Sequence, residues 1–321
     1  MKHKKIEKEA LIVGSGAIGA YLAKLLIKKK INTTITTRGL NEYKKNYQKL
    51  KIVNKVKFIK LELHNKINIR KILQTLKPDL IYYFAGQRSV PKSFEKPKET
   101  YLSNCIGAKN FLEVINKEKL NIKFFKANSG YIFNGEKNKI SLSSKIIKPD
   151  SPYTKSQIDS YKLVKKYRAL GVKCYSLIFF NIESPLSSKE FVAKKICYNC
   201  KRIKKNKLNK IILGNINTIR DFSWAPEIVK GVYLIKNLWP QDIIMGSGVP
   251  FKIKDFIFHA FNFYKLDYKK YIVINKKFFR KNERVKVVAS MKNTFSLLKK
   301  WKWKVKISGK ELVYKMCRNL D

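Results

Sequence analysis

Short segments of mostly apolar or β-branched residues alternate with amphipathic segments over the first 180 residues of the chain. The pattern predicts strands at residues 11–13, 32–37, 56–63, 79–84, 122–127 and 172–179. It predicts helices through Tyr21 and Leu25, and at residues 67–76, 101–116 and 153–170. Strands that alternate with helices and carry few polar residues are typical of a parallel sheet with both faces covered. The chain is therefore predicted to have an α/β, Rossmann-type fold with a doubly wound parallel sheet.

The pattern changes after Asn181. Helices are predicted at residues 190–204, 226–238 and 253–264, and strands at residues 210–213 and near Ile243. These elements indicate a smaller mixed α/β lobe. We expect a dinucleotide-binding domain at residues 8–180 and a second lobe at residues 181–321. The segment at about 214–240 is expected to return to the first domain.

A glycine-rich turn joins the first strand to the first helix in the sequence ALIVGSGAIGAYL, residues 10–22. Such a turn after a strand and before a helix is typical of a dinucleotide site, because it brings backbone N–H groups and the positive end of the helix dipole to the pyrophosphate. We predict that the site is formed by Gly14, Gly16, Ala17, Ile18 and Gly19. The alternative is a tight turn that binds nothing.

The ends of the next strands predict the rest of the cofactor site. An acidic residue after the second strand suits the ribose of NAD, whereas an arginine suits the 2′-phosphate of NADP. Arg38 stands there, which favours NADP over NAD, although it is alternatively a simple exposed arginine. Glu62 and Leu63 end the third predicted strand beside the expected adenine position. Ala85 and Gln87 follow the fourth.

The composition limits the kinds of partner that the protein is expected to bind. The 71 Lys and Arg against 22 Asp and Glu give a formal charge of +49, which raises nucleic acid or an anionic membrane as partners. The lysines are spread over nearly every segment, and no RNA-binding or helix-turn-helix motif accompanies them, so we expect no nucleic acid. The run at residues 201–210 is either a solvated helix end or an electrostatic funnel for an anionic substrate.

The sequence also indicates where the protein is located and whether it binds a metal. The N-terminus is polar and no apolar run reaches about 18 residues, so we expect a cytoplasmic protein that does not bind a membrane. Five cysteines form no disulfide framework in a chain of 321 residues. Cys197 and Cys200 form a CxxC pair without a second pair or a nearby histidine, so we expect no zinc or other metal.

Candidate catalytic residues follow the fifth predicted strand. Ser129 at the strand end and Tyr153 at a helix start form the arrangement expected of an extended short-chain dehydrogenase/reductase. A tyrosine acts as a base on a hydroxyl if nearby positive charge lowers its pKa from about 10. A lysine four residues further on would share its helix face, but Gln157 occupies that position. Lys155 lies on roughly the opposite side of the helix.

The chain resembles the GDP-mannose 4,6-dehydratases over nearly its whole length. The motifs that carry the resemblance are AGQRSVPKSFEKPKET from residue 85, SPYTKSQ from 151, FNIESP from 180, EFVAKKI from 190, LGNINTIRDF from 213, GSGVPFKIKDF from 246 and FFRKNERV from 278. The resemblance implies that Tyr153 removes the sugar 4-hydroxyl proton, that Ser129 orients this hydroxyl, and that a glutamate removes the C5 proton. Tyr131 stands at the glutamate position and Gln157 at the lysine position.

The resemblance also implies the substrate and its contacts. It implies a GDP-mannose-like nucleotide-diphosphate sugar, a homo-oligomer, and substrate-binding residues at Asn181, Glu183, Ser184, Lys195, Gly214, Arg220, Arg280 and Glu283. The arginines suit a diphosphate because a guanidinium donates two hydrogen bonds at once. Two alternatives stay open: a 4-keto-6-deoxy-sugar-nucleotide reductase or epimerase, which needs no glutamate at position 131, and a sugar-nucleotide-binding relative without catalysis.

Overall fold

A computed structural model of the chain describes residues 7–135, 137–279 and 283–320, except for the side chains of residues 40–43. Contacts between residues divide the chain into two compact units. Unit 1 takes in the described residues within 1–132, 146–178 and 229–243. Unit 2 takes in those within 133–145, 179–228 and 244–321.

The elements follow one another in chain order. The strands are β1 (Glu9–Val13), β2 (Asn32–Thr37), β3 (Lys57–Lys60), β4 (Leu80–Tyr83), β5 (Lys123–Ser129), β6 (Cys174–Phe179), β7 (Asn181–Glu183), β8 (Ile211–Leu213), β9 (Ile219–Trp224), β10 (Asp242–Met245), β11 (Pro250–Lys252), β12 (Ile272–Ile274) and β13 (Lys286–Val287). The helices are α1 (Ala17–Lys28), α2 (Leu40–Lys49), α3 (Lys66–Leu76), α4 (Val90–Glu95), α5 (Pro97–Tyr101), α6 (Gly107–Lys117), α7 (Pro152–Ala169), α8 (Val192–Lys204), α9 (Ala225–Ile235), α10 (Ile253–Phe263), α11 (Lys292–Leu297) and α12 (Gly309–Arg318).

A seven-stranded sheet in the order β10-β6-β5-β4-β1-β2-β3 forms the centre of the fold. β1 pairs in parallel with β2 and β4, and the pairs β2/β3 and β4/β5 are parallel as well. One face of the sheet packs against α3, α6 and α7 through a continuous apolar core that includes Leu11, Phe124 and Val164. The strand order changes direction at β1, which confirms the predicted doubly wound α/β fold.

Two predicted elements differ from the observed ones. β3 ends at Lys60, so Glu62 and Leu63 lie in the loop beyond it. The single helix predicted at residues 101–116 is instead α5, a π-helical segment at Leu102–Ile106, and α6. The wider π turn accompanies two hydrogen bonds of Asn104, whose amide donates to the Gln87 carbonyl oxygen and to Ser156 Oγ.

The strand β9 lies at the centre of the sheet in unit 2, where it pairs with β7, β11 and β13. No strand was predicted there, because the charged pair Arg220 and Asp221 interrupts the apolar pattern. Both side chains are nevertheless buried. Behind β9, α8, α10 and α12 pack into the apolar core of this unit, which includes the three cysteines Cys197, Cys200 and Cys317.

Several helices are followed by a lysine in the left-handed conformation. Among the described residues, seven other than glycine have positive φ, and six of these are lysines. Lys30, Lys77, Lys119 and Lys265 follow the last turns of α1, α3, α6 and α10, where glycine is the usual residue. No helix in the described ranges is both long and apolar enough to cross a bilayer.

Gly14 offers a test of the β1–α1 turn. It has φ of +109°, and a Cβ atom there would lie 2.6 Å from the Ala85 backbone nitrogen. We expect Gly14→Ala to lower the free energy of unfolding by about 1–3 kcal/mol, measured by urea denaturation. Gly16→Ala is the matched control, since φ there is −68° and a Cβ would meet nothing within 4 Å. Equal stability of the two variants would contradict this account of the turn.

Candidate active site

The turn between β1 and α1 has the shape of a pyrophosphate site. A Cβ on Gly19 would lie 2.6 Å from the Gly14 carbonyl oxygen, so glycine lets α1 pack tightly against the turn. Gly16 begins α1 without any side-chain cap, and the space beside its Cα is open. The N–H groups of the first turn, at Ala17, Ile18 and Gly19, have no acceptor within an α-helix. The turn therefore fits an anionic group held by backbone donors.

The residues predicted for the adenosine end lie at the carboxyl side of β2 and β3. The Arg38 guanidinium is exposed and donates to Glu99 Oε1 at 2.7 Å. This hydrogen bond lowers the pKa of the Glu99 carboxyl group. Glu62 is exposed near His64, with Nε2 and Oε2 3.5 Å apart. Leu63 packs against the core, and its carbonyl oxygen accepts a bond from Asn110 at 2.8 Å.

The loop after β4 is held by side-chain amides. The backbone of Ala85 lies close to that of Gly14, since a Cβ on Gly14 would be 2.6 Å from the Ala85 nitrogen. The Gln87 side chain donates to the Ser89 carbonyl oxygen at 2.7 Å and to Thr100 Oγ1 at 3.3 Å. Gln87 therefore shapes this loop through contacts within unit 1.

The four candidate catalytic residues all lie in unit 1. Ser129 is the last residue of β5, and its Oγ accepts a bond from the Tyr131 N–H at 3.2 Å. Tyr153 is buried in the first turn of α7. This helix starts where it does because Ser151 and Thr154 form a capping box and Pro152 occupies the first turn.

Gln157 lies one helical turn below Tyr153. Its carbonyl oxygen accepts a bond from Asn128 Nδ2 at 3.2 Å, which ties α7 to the end of β5. Its side chain is buried, and Oε1 has no hydrogen-bond partner among the described residues. Lys155 points outward and pairs with Asp159 at 3.0 Å, as its place on the helix predicts.

Lys126 in β5 was not predicted as a site residue. Its side chain is only 1% exposed, and its ammonium group donates to the Ala127 carbonyl oxygen and lies 5.4 Å from the centre of the Tyr83 ring. Burial lowers the pKa of Lys126 from 10.5 to about 7, and the nearby Cys105 raises it slightly. A lysine within the apolar strand KFFKANS was the available signal.

The described residues that were predicted to bind substrate lie in unit 2, and all but Ser184 form two groups. In the first, Arg220 on β9 is 4% exposed, and its guanidinium donates to the carbonyl oxygens of Ile219 and Arg284 at 2.9 and 3.0 Å. Arg220 also pairs with Glu283 at 3.7 Å. Asn181 and Glu183 lie on β7, which pairs in parallel with β9.

The second group surrounds Phe278. Lys195 on α8 donates to the Ile212 carbonyl oxygen at 2.8 Å, and its ammonium lies 5.9 Å from the Phe278 ring centre. A Cβ on Gly214 would lie 2.7 Å from the Phe278 carbonyl oxygen. Ser184 belongs to neither group, because its N–H donates to Ser187 Oγ in a tight turn. Arg280 lies outside the described residues.

The buried carboxylate of Asp221 was also not predicted from the sequence. It accepts bonds from the Ser247 N–H and hydroxyl at 2.8 and 2.6 Å, from the Gly248 N–H at 2.8 Å and from the Ala289 N–H at 3.2 Å. Burial raises its pKa, while these bonds act against that rise. Asp221 thus holds the GSG loop and the segment after β13 to β9.

The fold and the glycine turn define a Rossmann-type α/β protein of the kind that binds dinucleotides. The profile of the GDP-mannose 4,6 dehydratase family matches residues 11–316, so the chain belongs to that family. GDP-mannose 4,6 dehydratase 1 of Arabidopsis thaliana is 30% identical over 97% of this chain and 89% of its own length.

Two further relatives support the family and the fold. The GDP-mannose 4,6-dehydratase of Sinorhizobium fredii (strain HH103) is 31% identical over 79% of this chain and 76% of its own length. The crystal structure of dTDP-glucose 4,6-dehydratase from Bacillus anthracis in complex with NAD superposes with a TM-score of 0.81 at 14% identity, covering 97% of this chain and 96% of the other. At that identity the structural likeness concerns the fold alone.

The buried ammonium of Lys126 predicts a pH-dependent stability difference. Between pH 7 and 10.5 the unfolded lysine binds a proton that the folded one does not, so folding stability rises with pH in this window. We expect Lys126→Met to be more stable than wild type at pH 7, and its advantage to shrink by about 1.4 kcal/mol per pH unit as pH rises. Urea denaturation at several pH values measures this. A constant difference would show that Lys126 keeps its ordinary pKa.

Proposed function

We propose that the protein is an NADP-dependent nucleotide-sugar enzyme of the GDP-mannose 4,6-dehydratase type. The observation that carries the proposal is the bond between Asn128 and Gln157. It joins the end of β5, which bears Ser129, to the first turns of α7, which bear Tyr153. α7 also packs against the Gly130–Ile132 turn. A hydroxyl-orienting serine and a tyrosine base thus share the sheet edge at which ligands of open α/β folds bind.

The cofactor assignment concerns unit 1. The open space at Gly16, the uncapped start of α1 and the unpartnered Gln157 Oε1 fit a dinucleotide. The dTDP-glucose 4,6-dehydratase structure from Bacillus anthracis is a complex with NAD, which supports a nicotinamide cofactor here. Arg38 favours NADP. When bound, such a cofactor supplies a hydride acceptor. Residues 8–180, together with the segment at about 214–240, are then the cofactor domain, and the rest of residues 181–321 is the nucleotide-sugar lobe.

The nucleotide-sugar assignment rests on the family and on the basic groups of unit 2. The named activity of the relatives is GDP-mannose dehydration. Lys195 and Arg220 supply positive charge, and a guanidinium matches a diphosphate well. The Arg220 guanidinium donates to carbonyl oxygens and pairs with Glu283. An anion can bind there only if it replaces some of these partners.

Different side chains take part in the two proton transfers. Tyr153, as phenolate, takes the proton of the sugar 4-hydroxyl while Ser129 orients that hydroxyl. Tyr131 holds the position from which the C5 proton must be removed. A neutral phenol is a weaker base than a carboxylate, and loss of a positioned base costs about 10²–10⁴-fold in rate.

Tyr131 also favours a second function. Reduction of a 4-keto-6-deoxy nucleotide sugar needs Tyr153, Ser129 and a reduced cofactor, but no base for C5. The same holds for epimerisation at C4. The absence of a carboxylate at position 131 therefore suits a reductase or epimerase.

Turnover assays separate these functions. With NADP⁺ and GDP-mannose, we expect formation of a 4-keto-6-deoxy sugar, detected by mass spectrometry as loss of water. Tyr153→Phe should abolish this product while cofactor binding persists. Oxidation of NADPH by a 4-keto-6-deoxy nucleotide sugar, without any dehydration, would replace the first function by the second. Failure to bind either cofactor or sugar nucleotide would contradict both.

Arg38 tests the cofactor preference. We expect Arg38→Ala to weaken NADP⁺ binding by about tenfold or more, because a charge-assisted bond to the 2′-phosphate is lost, and to leave NAD⁺ binding unchanged. Calorimetric titration of both cofactors measures this. Arg70→Ala is the control, as it removes an exposed arginine of α3 that pairs with Glu118. Equal effects of the two substitutions would show that Arg38 has no part in selection.

A further inference from the structure

The hydroxyl group of Tyr47 on α2 is buried without a partner. The side chain is fully buried, and its Oη forms no hydrogen bond with any described residue. A buried hydroxyl in this situation destabilises the folded state, because it has given up its hydrogen bonds to water and gained none in return. Such a group calls for a function that supplies the missing partner.

The Tyr47 hydroxyl lies directly beside the glycine turn. A Cβ atom on Gly19 would be 3.6 Å from Tyr47 Oη and 2.6 Å from the Gly14 carbonyl oxygen. The two oxygen atoms therefore lie next to the same point, which the glycine at position 19 leaves free of side-chain atoms. A larger residue at that position would stand between them.

The Gly14 carbonyl oxygen is an acceptor that lacks a backbone donor. Gly14 lies between β1 and α1, and no described backbone N–H group donates to its carbonyl oxygen. Burial raises the pKa of Tyr47, so its hydroxyl keeps its proton and remains a donor at neutral pH. A donor and an acceptor thus lie beside the same Cα atom.

Phe58 on β3 holds the Tyr47 ring in place. The two ring centres are 5.0 Å apart and the ring planes meet at 84°, which is an edge-to-face contact. The hydroxyl could reach solvent only if this contact were broken. Tyr47 Oη is therefore kept at the turn rather than in water.

We propose that Tyr47 is a positioning residue for the dinucleotide, whose hydroxyl donates to the Gly14 carbonyl oxygen when the turn binds a pyrophosphate. The inference rests on the proposed cofactor site but not on the proposed reaction. The Gly14 carbonyl group and the Ser15 N–H group belong to one planar peptide unit. A bond to this carbonyl oxygen fixes the peptide and makes its N–H a stronger donor, because hydrogen bonds in a chain polarise one another.

Tyr47→Phe removes the hydroxyl and keeps the ring, so it separates an effect on binding from an effect on folding. Without cofactor, we expect this variant to unfold at the wild-type temperature or a few degrees above it, because an unsatisfied group has been removed. We expect its dissociation constants for NADP⁺ and NAD⁺ to rise by the same factor, about three- to tenfold, because both contain the pyrophosphate. Thermal unfolding and calorimetric titration measure these quantities.

Tyr82→Phe is the matched control. Tyr82 on β4 is also fully buried, and its hydroxyl likewise has no partner within the described ranges. The groups that influence it electrostatically are Glu7, Tyr175 and Tyr233, none of which belongs to the turn. This substitution should leave both dissociation constants unchanged.

The assignment is overturned if Tyr47→Phe binds both dinucleotides as tightly as wild type, or if Tyr82→Phe weakens binding equally. A clearly lower unfolding temperature of Tyr47→Phe without cofactor would also overturn it, since the hydroxyl would then have a partner before binding. Wild-type protein that binds neither dinucleotide would contradict both this assignment and the proposed function. The expected loss of binding, in a protein that turns over no nucleotide sugar, would support the assignment and contradict the proposed function.

Discussion

The hydrogen bonds of Asn128 tie together three elements at the carboxyl end of the central sheet. Its amide nitrogen donates to Gln157 on α7, and its amide oxygen accepts a bond from Ser176 on β6 at 2.7 Å. Buried amides satisfied on both sides give a fixed geometry, because breaking either bond leaves a polar atom without water. The placement of Ser129, one residue on, and of Tyr153, one turn up, depends on this amide.

The turn between β1 and α1 was predictable because its signals are local. Gly14, Gly16 and Gly19 act through backbone conformation and close approach, which a short sequence motif encodes. Ser129 and Tyr153 could be proposed as site residues because each lies at a recognisable boundary, a strand end and a helix cap. The hydrogen bonds that join Asn128 to Gln157 and to Ser176 could not be predicted, since contacts between distant strands and helices leave no periodic pattern.

Buried charge explains what the hydrophobic pattern missed. Lys126, Arg220 and Asp221 interrupt apolar runs, so β9 was not predicted as a strand and Lys126 gave no site prediction. The three charged side chains differ in their hydrogen-bond partners. Asp221 is satisfied by four donors from neighbouring loops, and Arg220 by carbonyl oxygens and Glu283. Lys126 donates to one carbonyl oxygen, and its burial lowers the pKa of its ammonium group.

The left-handed lysines that follow several helices also help to explain how so basic a chain stays folded. A formal charge of +49 implies strong self-repulsion in the compact state. Each helix C-terminus carries a partial negative charge of about half an electron. Lys30, Lys77, Lys119 and Lys265 stand at helix C-termini, where a positive charge is favourable. The backbone itself thus acts as a distributed counter-ion for part of the lysine excess, in a chain that has few carboxylates to do so.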